Sequence, residues 1–318
     1  MNNAELDALA LDTDARQGEV TLKAVFDFIG RFVIYPSGHA RVAHALWIAH
    51  AHCMSAWYTT PRLAFMSEEK ESGKTRALEV TERLVPGPLL SISISPAALV
   101  RRVAEGVATV LYDEVDALFG STAREESNLD VRSILNGGYR RGATVHRCVT
   151  IGKRIEVEAL EAFAPVALAG LRELPDTLAS RSIIIRMRRR APDERIEPWR
   201  ERYVRPEAER IYQQLAGWAE SVDWVDAEPA MPEGITDRAA ECWESLLAIA
   251  DAAGGHWPAR AREAAVHLVA GGRDDVVSPG VELLQHIREA FGEEDVLWTE
   301  TLLDRLHGRA TAASPLLG

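Results

Sequence analysis

TPRLAFMSEEKESGKTRALEV, residues 60–80, passes from a short apolar run through a polar loop into a helical pattern. Leu63 to Met66 predicts a strand, and Lys74 to Leu84 predicts a helix. Outward from this stretch the same alternation repeats. Leu89 to Ile94, bounded by Pro86-Gly87-Pro88, reads as a second strand. Ser95 then offers an N-cap with Pro96 at the first helical position, and Gly106 closes that helix. Thr109 to Tyr112 is a third short buried strand. Strand, helix, strand, helix, strand is the pattern of an α/β protein built on a mostly parallel, doubly wound sheet. A helix near Asn128 to Leu135 follows. Ala143 to Val149 and Arg154 to Leu160 then predict a β-hairpin around Thr150-Ile151-Gly152-Lys153. Pro165 to Leu171 and Ile183 to Met187 complete a five-stranded parallel core over residues 59–191, with the hairpin inserted.

The flanks read as helical. Residues 1–19 are polar and acidic and predict a loose, disordered arm. Residues 20–58 predict two helices, Thr21 to Ile34 and His39 to Trp57, separated at Pro36-Ser37-Gly38. Residues 192–272 predict a helical lid, with helices at Pro206 to Val222, Thr236 to Ala253 and Pro258 to Ala270. Residues 273–318 predict a winged-helix-like segment: helix Val281 to Phe291, strand Val296 to Trp298, helix Thr299 to Leu306. The tail from Ala310 to Gly318 reads as disordered. No long-period repeat is present.

Composition narrows the function classes. The chain has 318 residues, 47% apolar and 26% charged, which suits a globular protein of about two domains. A net charge of -12 argues against a protein that coats nucleic acid over its whole surface, though a local basic contact remains open. Cys53, Cys148 and Cys242 lie far apart without a C-x-x-C pair, so no disulfide framework or zinc site is expected. The N-terminal stretch lacks the pattern of a signal peptide, and no apolar run reaches the length of a membrane span. The expectation is a soluble, cytoplasmic protein with no membrane partner.

Two motifs carry chemistry. The segment Ser67-Glu68-Glu69-Lys70-Glu71-Ser72-Gly73-Lys74-Thr75 lies between a predicted strand and a predicted helix. A phosphate-binding loop needs that setting, because backbone N–H groups and a helix N-terminus then face the phosphates. Ser72 and Gly73 would supply backbone, Lys74 would reach the β- and γ-phosphates, and the Thr75 hydroxyl would ligate Mg²⁺. The full Walker A pattern has glycine where this chain has Glu68. Glu68, Glu69 and Glu71 would each repel a phosphate by about 1 kcal/mol at 4 Å in water, so their side chains are expected to point outward. The second motif is Thr109-Val110-Leu111-Tyr112-Asp113-Glu114, an apolar strand ending in two carboxylates, as in Walker B. Asp113 would hold Mg²⁺, usually through water. Glu114 would orient or deprotonate the attacking water, with Asp116 the next choice for that role. Each motif ends a predicted strand, where α/β sheets bind ligands.

Other features are less specific. Arg132, Arg140, Arg141, Arg147, Lys153 and Arg154 form a basic stretch without Asp or Glu, a candidate DNA-backbone surface with Lys153 at the hairpin tip. Arg181, before the last core strand, could reach a γ-phosphate across a subunit interface, or could form a helix-terminal salt bridge. Arg186, Arg188, Arg189 and Arg190 read as a solvated strand end. His39, His44, His50 and His52 lack the spacing of a metal site, and the eight Trp residues read mainly as core.

The chain resembles the phage- and mobile-element-associated ATPases catalogued as domain of unknown function 3631. The matching stretches are YPSGHARVAHALWIAHAHCMSAW, TPRLAFMSEEKESGKTRALEV, VLYDEVDALF, LNGGYRRGATVHR, FAPVALAGL, LPDTLASRSIIIRMRRR and VELLQHIREAFG with TETLLDRL. That family resembles AAA+ and superfamily 3 helicase modules. The resemblance implies a P-loop NTPase fold, ATP and Mg²⁺ as cofactors, a homo-oligomeric ring such as a hexamer, and work on DNA in mobile-element replication beside a replication partner protein. It also implies a pre-sensor hairpin around Lys153 and an arginine finger at Arg181. Val166 to Gly170 departs from the pattern by ending without a polar sensor residue. The expected function is an ATP-hydrolysing motor on DNA. The alternatives are a nucleotide-gated interaction module, acting as loader or regulator, and a degenerate ATPase scaffold.

Overall fold

Leu63 to Met66 is an unbroken apolar run because the strand it forms is covered on both faces, as central strands of parallel sheets are. The computed structural model describes residues 3–90, 96–106, 108–119, 126–151, 154–225, 227–273, 286–292, 294 and 296–313. Its strands are β1 (Arg62–Met66), β2 (Pro88–Leu90), β3 (Thr109–Tyr112), β4 (Thr144–Ile151), β5 (Arg154–Glu161), β6 (Val166–Gly170) and β7 (Ser182–Arg186). Five of them form one sheet in the order β2-β3-β6-β1-β7, with every neighbouring pair parallel. The strand expected at Leu89 to Ile94 is described only as far as Leu90, and residues 91–95 lie outside the described residues.

Successive residues alternate between two cores, as the period of a strand requires. Leu63, Phe65, Ala167, Ala169, Ile183 and Ile185 face one core. Ala64, Met66, Val110, Val166 and Leu168 face the other. The first core is closed by α1 (Asn3–Phe32), α2 (Gly38–Cys53), α3 (Lys74–Glu82), α8 (Glu201–Ser221), α9 (Asp237–Ala253) and α10 (Trp257–Arg273). The second is closed by α4 (Pro96–Ala104), the short α5 (Asp116–Phe119), α6 (Glu126–Gly137) and the short α7 (Asp176–Ala179). Phe65 is fully buried at the centre of the sheet, and its replacement by Ala would cost about 3–5 kcal/mol.

Several helices differ from the sequence expectation. The polar stretch read as an arm is helical from Asn3, since α1 runs unbroken to Phe32 through residues rich in Ala, Leu and Glu, which favour helix. α8 begins at Glu201 rather than at Pro206, which sits inside it. Val204, Ala208, Ile211, Leu215 and Trp218 form a buried stripe at helical spacing, and that stripe carries the helix past the one donor the proline lacks. The helices expected as a separate lid share a core with α1 and α2, and Met1–Val269 is one compact unit.

β4 and β5 pair antiparallel from Thr144 opposite Glu161 to Ile151 opposite Arg154, which is the expected hairpin. Gly152 and Lys153 at its tip lie outside the described residues. The second unit, Ala270–Gly318, contains helical residues 286–291 and the helix Thr299–Ala313. The strand expected at Val296 to Trp298 is not formed among the described residues, so the winged-helix reading lacks its wing there. Val296 and Trp298 are 83% and 86% exposed, so this three-residue run has no sheet surface to cover it. Arg305 instead ties the unit together, donating to Ala290 O at 2.6 Å and pairing with Glu294 at 2.7 Å.

Candidate functional site

The loop Ser67–Gly73 leaves the C-terminal end of β1 and enters α3, so the N-terminus of α3 opens at the end of the sheet where α/β proteins bind ligands. Gly73 caps α3 with φ 85° and ψ 9°, a left-handed conformation that glycine reaches without strain. Glu71 adopts φ 63° in the same loop, and Glu114 adopts φ 57° immediately after β3. Among the described residues the only other non-glycine residue with positive φ is Asp237. Two of the three such positions thus fall in the two motif loops. Backbone of this kind costs of order 1–3 kcal/mol per residue and clusters at functional sites.

Lys74 folds back over its own loop. Its Nζ donates to Ser67 O at 3.3 Å, Glu69 O at 3.0 Å and the buried Ser72 Oγ at 3.0 Å. Burial lowers its pKa, against the opposing pull of Asp113 and Asp116. Thr75 Oγ1 donates to Asp113 Oδ2 at 2.9 Å, and Asp113 Oδ1 accepts from the Glu114 N–H at 2.9 Å. The two motifs, 38 residues apart, therefore meet at one hydroxyl–carboxylate contact. An alcohol oxygen beside a carboxylate is a hard oxygen donor set, which fits Mg²⁺.

Glu114 is exposed at the same rim. Asp116 is engaged elsewhere. Its carboxylate accepts from the N–H groups of Leu171 at 2.5 Å and Arg172 at 2.8 Å, fastening the segment after β6. The missing polar sensor has a steric reason. A Cβ on Gly170 would stand 2.7 Å from Val115 Cγ1, 2.9 Å from Met66 Cε and 3.0 Å from Asp116 Oδ2. The end of β6 packs too closely between β1 and the β3 turn to carry a side chain.

Glu68, Glu69 and Glu71 are exposed, as their charge requires. Glu69 and Glu71 have a neighbour that the sequence did not disclose. Arg189, just past β7, donates its backbone N–H to Glu69 Oε2 at 3.1 Å and its Nε to Lys70 O at 2.9 Å. The run Arg186-Met187-Arg188-Arg189-Arg190 was the available signal. It becomes informative only with the register that sets β7 beside β1, Arg186 opposite Met66.

The remaining candidates are dispersed. Arg181 is half-buried, with Nη1 donating to Asn136 O at 2.8 Å and its guanidinium 4.6 Å from the Tyr139 ring centre. It begins the approach to β7, at the end of the sheet opposite the loop Ser67–Gly73. Its hydrogen bond and ring contact within the chain are to Asn136 and Tyr139 and do not form the helix-terminal salt bridge. Arg132 donates Nε to Leu118 O at 2.7 Å. Arg140 lies 3.5 Å from Glu241, and Arg141 bonds Ser55 O with its guanidinium over Tyr58. Arg147 stands opposite Glu158 in the hairpin register, and Arg154 opens β5, which also carries Glu156, Glu158 and Glu161. Among the described side chains of the basic stretch, Arg132, Arg140 and Arg141 each have a different neighbour in space.

Two of the histidines read as poor metal ligands, His44 and His50, are buried and hydrogen-bonded in the core. Thr81 Oγ1 donates to Ala77 O at 2.6 Å, so it accepts from His44 Nε2 at 2.8 Å, which leaves Nδ1 to accept from the Tyr35 hydroxyl at 2.6 Å. His50 Nε2 lies 2.9 Å from Thr60 Oγ1. Burial pushes both His44 and His50 down to about 3. No helix among the described residues is long and apolar enough to cross a membrane.

Residues 186–314 match a family described as protein of unknown function (DUF3631). The chain is 44% identical over 135 residues to an "Uncharacterized 28.9 kDa protein in xis 5'region" of Saccharopolyspora erythraea, 42% of this chain and 51% of that protein. The chain thus spans about half the length of this relative. The family match includes Arg189 and lies C-terminal to Lys74, Thr75, Asp113 and Glu114.

Proposed function

We propose that this chain binds ATP with Mg²⁺ at Ser72, Gly73, Lys74, Thr75 and Asp113 and hydrolyses it, as a P-loop ATPase similar to AAA+ modules. The observation that carries the reading is the 2.9 Å contact between Thr75 Oγ1 and Asp113 Oδ2 beneath a helix N-terminus. In this reading Lys74 exchanges its three loop oxygens for the β- and γ-phosphates, while backbone N–H groups of Gly73 and Lys74 hold them from the helix end. Thr75 and Asp113 would hold the metal ion, which offsets phosphate charge and aligns the reacting oxygens when bound. Glu114, exposed at the rim, orients the attacking water and accepts its proton.

The wider reading is an oligomeric, ring-forming motor acting on DNA with Arg140, Arg141, Arg147, Lys153 and Arg154 as phosphate contacts. Its mobile-element setting draws on the relative described from a xis 5' region. An arginine finger at Arg181 belongs to this reading only if the guanidinium leaves Asn136 and Tyr139. A second reading, a nucleotide-gated interaction module, is favoured by those intrachain contacts and by the crowded Gly170.

ATP turnover with and without single-stranded DNA, on protein of measured oligomeric state, separates the two. Turnover raised by DNA supports the motor. Turnover or ATP binding indifferent to DNA supports the module. Absence of ATP binding overturns both.

A further inference from the structure

The phosphate loop is short of positive charge. Between Ser67 and Thr75 it carries Glu68, Glu69 and Glu71 against Lys70 and Lys74, with Asp113 bonded to its last residue. Each exposed carboxylate opposes an incoming phosphate, and a loop that is net negative is a poor receptor for a nucleotide. A further cation has to come from outside the loop, and β7 delivers one. Pairing of β7 with β1 sets Arg186 opposite Met66, and the Met187 N–H donates to Met66 O at 2.7 Å, so the chain continues alongside the start of the loop.

The arginines of this segment then diverge. Arg188 turns to Glu194, with Nη1 at 2.7 Å and Nη2 at 2.6 Å from its two carboxylate oxygens. Arg186 has Glu173 at 3.7 Å. Arg189 stays at the loop. Its backbone is fixed by Glu69, its Nε by Lys70 O, and its Nη2 stands 3.8 Å from Glu71 Oε2, a long contact for an ion pair. The side chain is 57% exposed, and Glu71, at 88%, is a replaceable partner. A guanidinium presents five N–H donors in a planar fork that matches two phosphate oxygens. Anchored through its main chain and Nε, it is ordered before any ligand arrives, so little entropy opposes the exchange.

Resting on the reading of this loop as a nucleotide site, we infer that Arg189 is its second phosphate-binding cation, with Glu71 as the anion it releases and Glu69 as the residue that positions it. The loop's acidity then has a use, because it holds Arg189 in place in the absence of nucleotide.

Isothermal titration of MgATP into wild type, Arg189→Ala, Arg189→Lys, Glu71→Gln and Lys74→Ala tests this, with native folding checked by thermal melts. Arg189→Ala should weaken ATP about tenfold, and Arg189→Lys should recover part of the loss. Glu71→Gln should tighten ATP a few-fold, because it removes the competing carboxylate. Opposite signs for Arg189→Ala and Glu71→Gln mark a phosphate ligand. Were the pair only a staple of the loop, both would weaken binding in parallel, and that result overturns the proposal. So does an Arg189→Ala protein that binds ATP as tightly as wild type while Lys74→Ala does not bind. Should Arg189→Ala fail to fold, the signs of Arg189→Lys and Glu71→Gln decide alone. Wild type that binds no ATP, or Lys74→Ala that binds like wild type, instead defeats the nucleotide reading itself.

Discussion

Thr75 and Asp113 touch across a strand to which neither belongs: β6 lies between β1, which leads to Thr75, and β3, which ends one residue before Asp113. The contact therefore depends on the sheet order, which sets β1 and β3 on either side of β6. Two residues at the ends of non-adjacent strands thus meet beyond the end of β6, whose last residue, Gly170, is closely packed against Val115, Met66 and Asp116.

Lys74→Ala is expected to weaken MgATP binding by at least about 10²-fold, or ~2.7 kcal/mol, since Lys74 is the cation on the helix N-terminus itself. Thr75→Val keeps the volume and removes the hydroxyl, so it should weaken binding chiefly in the presence of Mg²⁺. Equilibrium titrations with and without the metal measure both. A Thr75→Val protein with unaltered metal dependence would remove Thr75 from the site.

Glu114→Gln should bind ATP like wild type and turn it over about 10²–10⁴-fold more slowly, because the amide can orient water without taking its proton. Asp116→Asn should behave differently. It weakens the charge-assisted bonds to Leu171 and Arg172, so the expected effect is a stability loss of about 1–3 kcal/mol, read from urea midpoints. Turnover abolished by Asp116→Asn at unchanged stability would instead identify Asp116 as the base.

His44 and His50 make the fold acid-sensitive in a defined window. Both are neutral when folded, with pKa values pushed from 6.5 to about 3 by burial, so below 6.5 the unfolded chain binds more protons than the folded one. Stability is then fully present above 6.5 and falls as pH drops towards 3. Between pH 7 and pH 5 each histidine should remove about 2 kcal/mol. Urea unfolding at the two pH values measures the slope, and His50→Gln should flatten it by roughly half. An unchanged slope in His50→Gln would place the titration elsewhere.

Arg181→Ala should lower stability by about 1–3 kcal/mol, through loss of the bond to Asn136 O and the stacking on Tyr139. Mixing it with Glu114→Gln protein, with subunit exchange confirmed, tests for action across an interface. The intrachain contacts predict that mixing restores no turnover. Restored turnover would show that Arg181 serves a neighbouring subunit.

The parallel sheet is readable because the strands at Leu63, Thr109, Val166 and Ile183 are short apolar runs bounded by turn residues, and burial on both faces leaves them no other pattern. The loop at Gly73 is readable because glycine, lysine and threonine at a strand–helix junction form a local signal. Arg189 is not, because its place depends on which strand β7 pairs with, a long-range choice that no local pattern encodes. The basic stretch misleads in the opposite way. Arg140 and Arg147 are close in sequence, yet the turn into β4 takes one to Glu241 and the other opposite Glu158. At the N-terminus, polarity suggests an arm and masks the helix propensity of the same residues.

The core shared by α1, α2, α8 and α9 also sets an order of events at the ribosome. Arg31 of α1 meets Glu197 and Glu207, 166 and 176 residues later in the chain. At about 5–20 residues per second those partners emerge roughly 8–35 s after Arg31 does. Throughout that interval Leu22, Val25, Phe28 and Ile29 have no α8 or α9 to cover them, although all four end up buried. The nascent chain is thus expected to present an apolar helix to chaperones before its sheet can close. Ribosome-bound chains halted before residue 200 should be cut by protease within α1, and chains extended past residue 270 should resist.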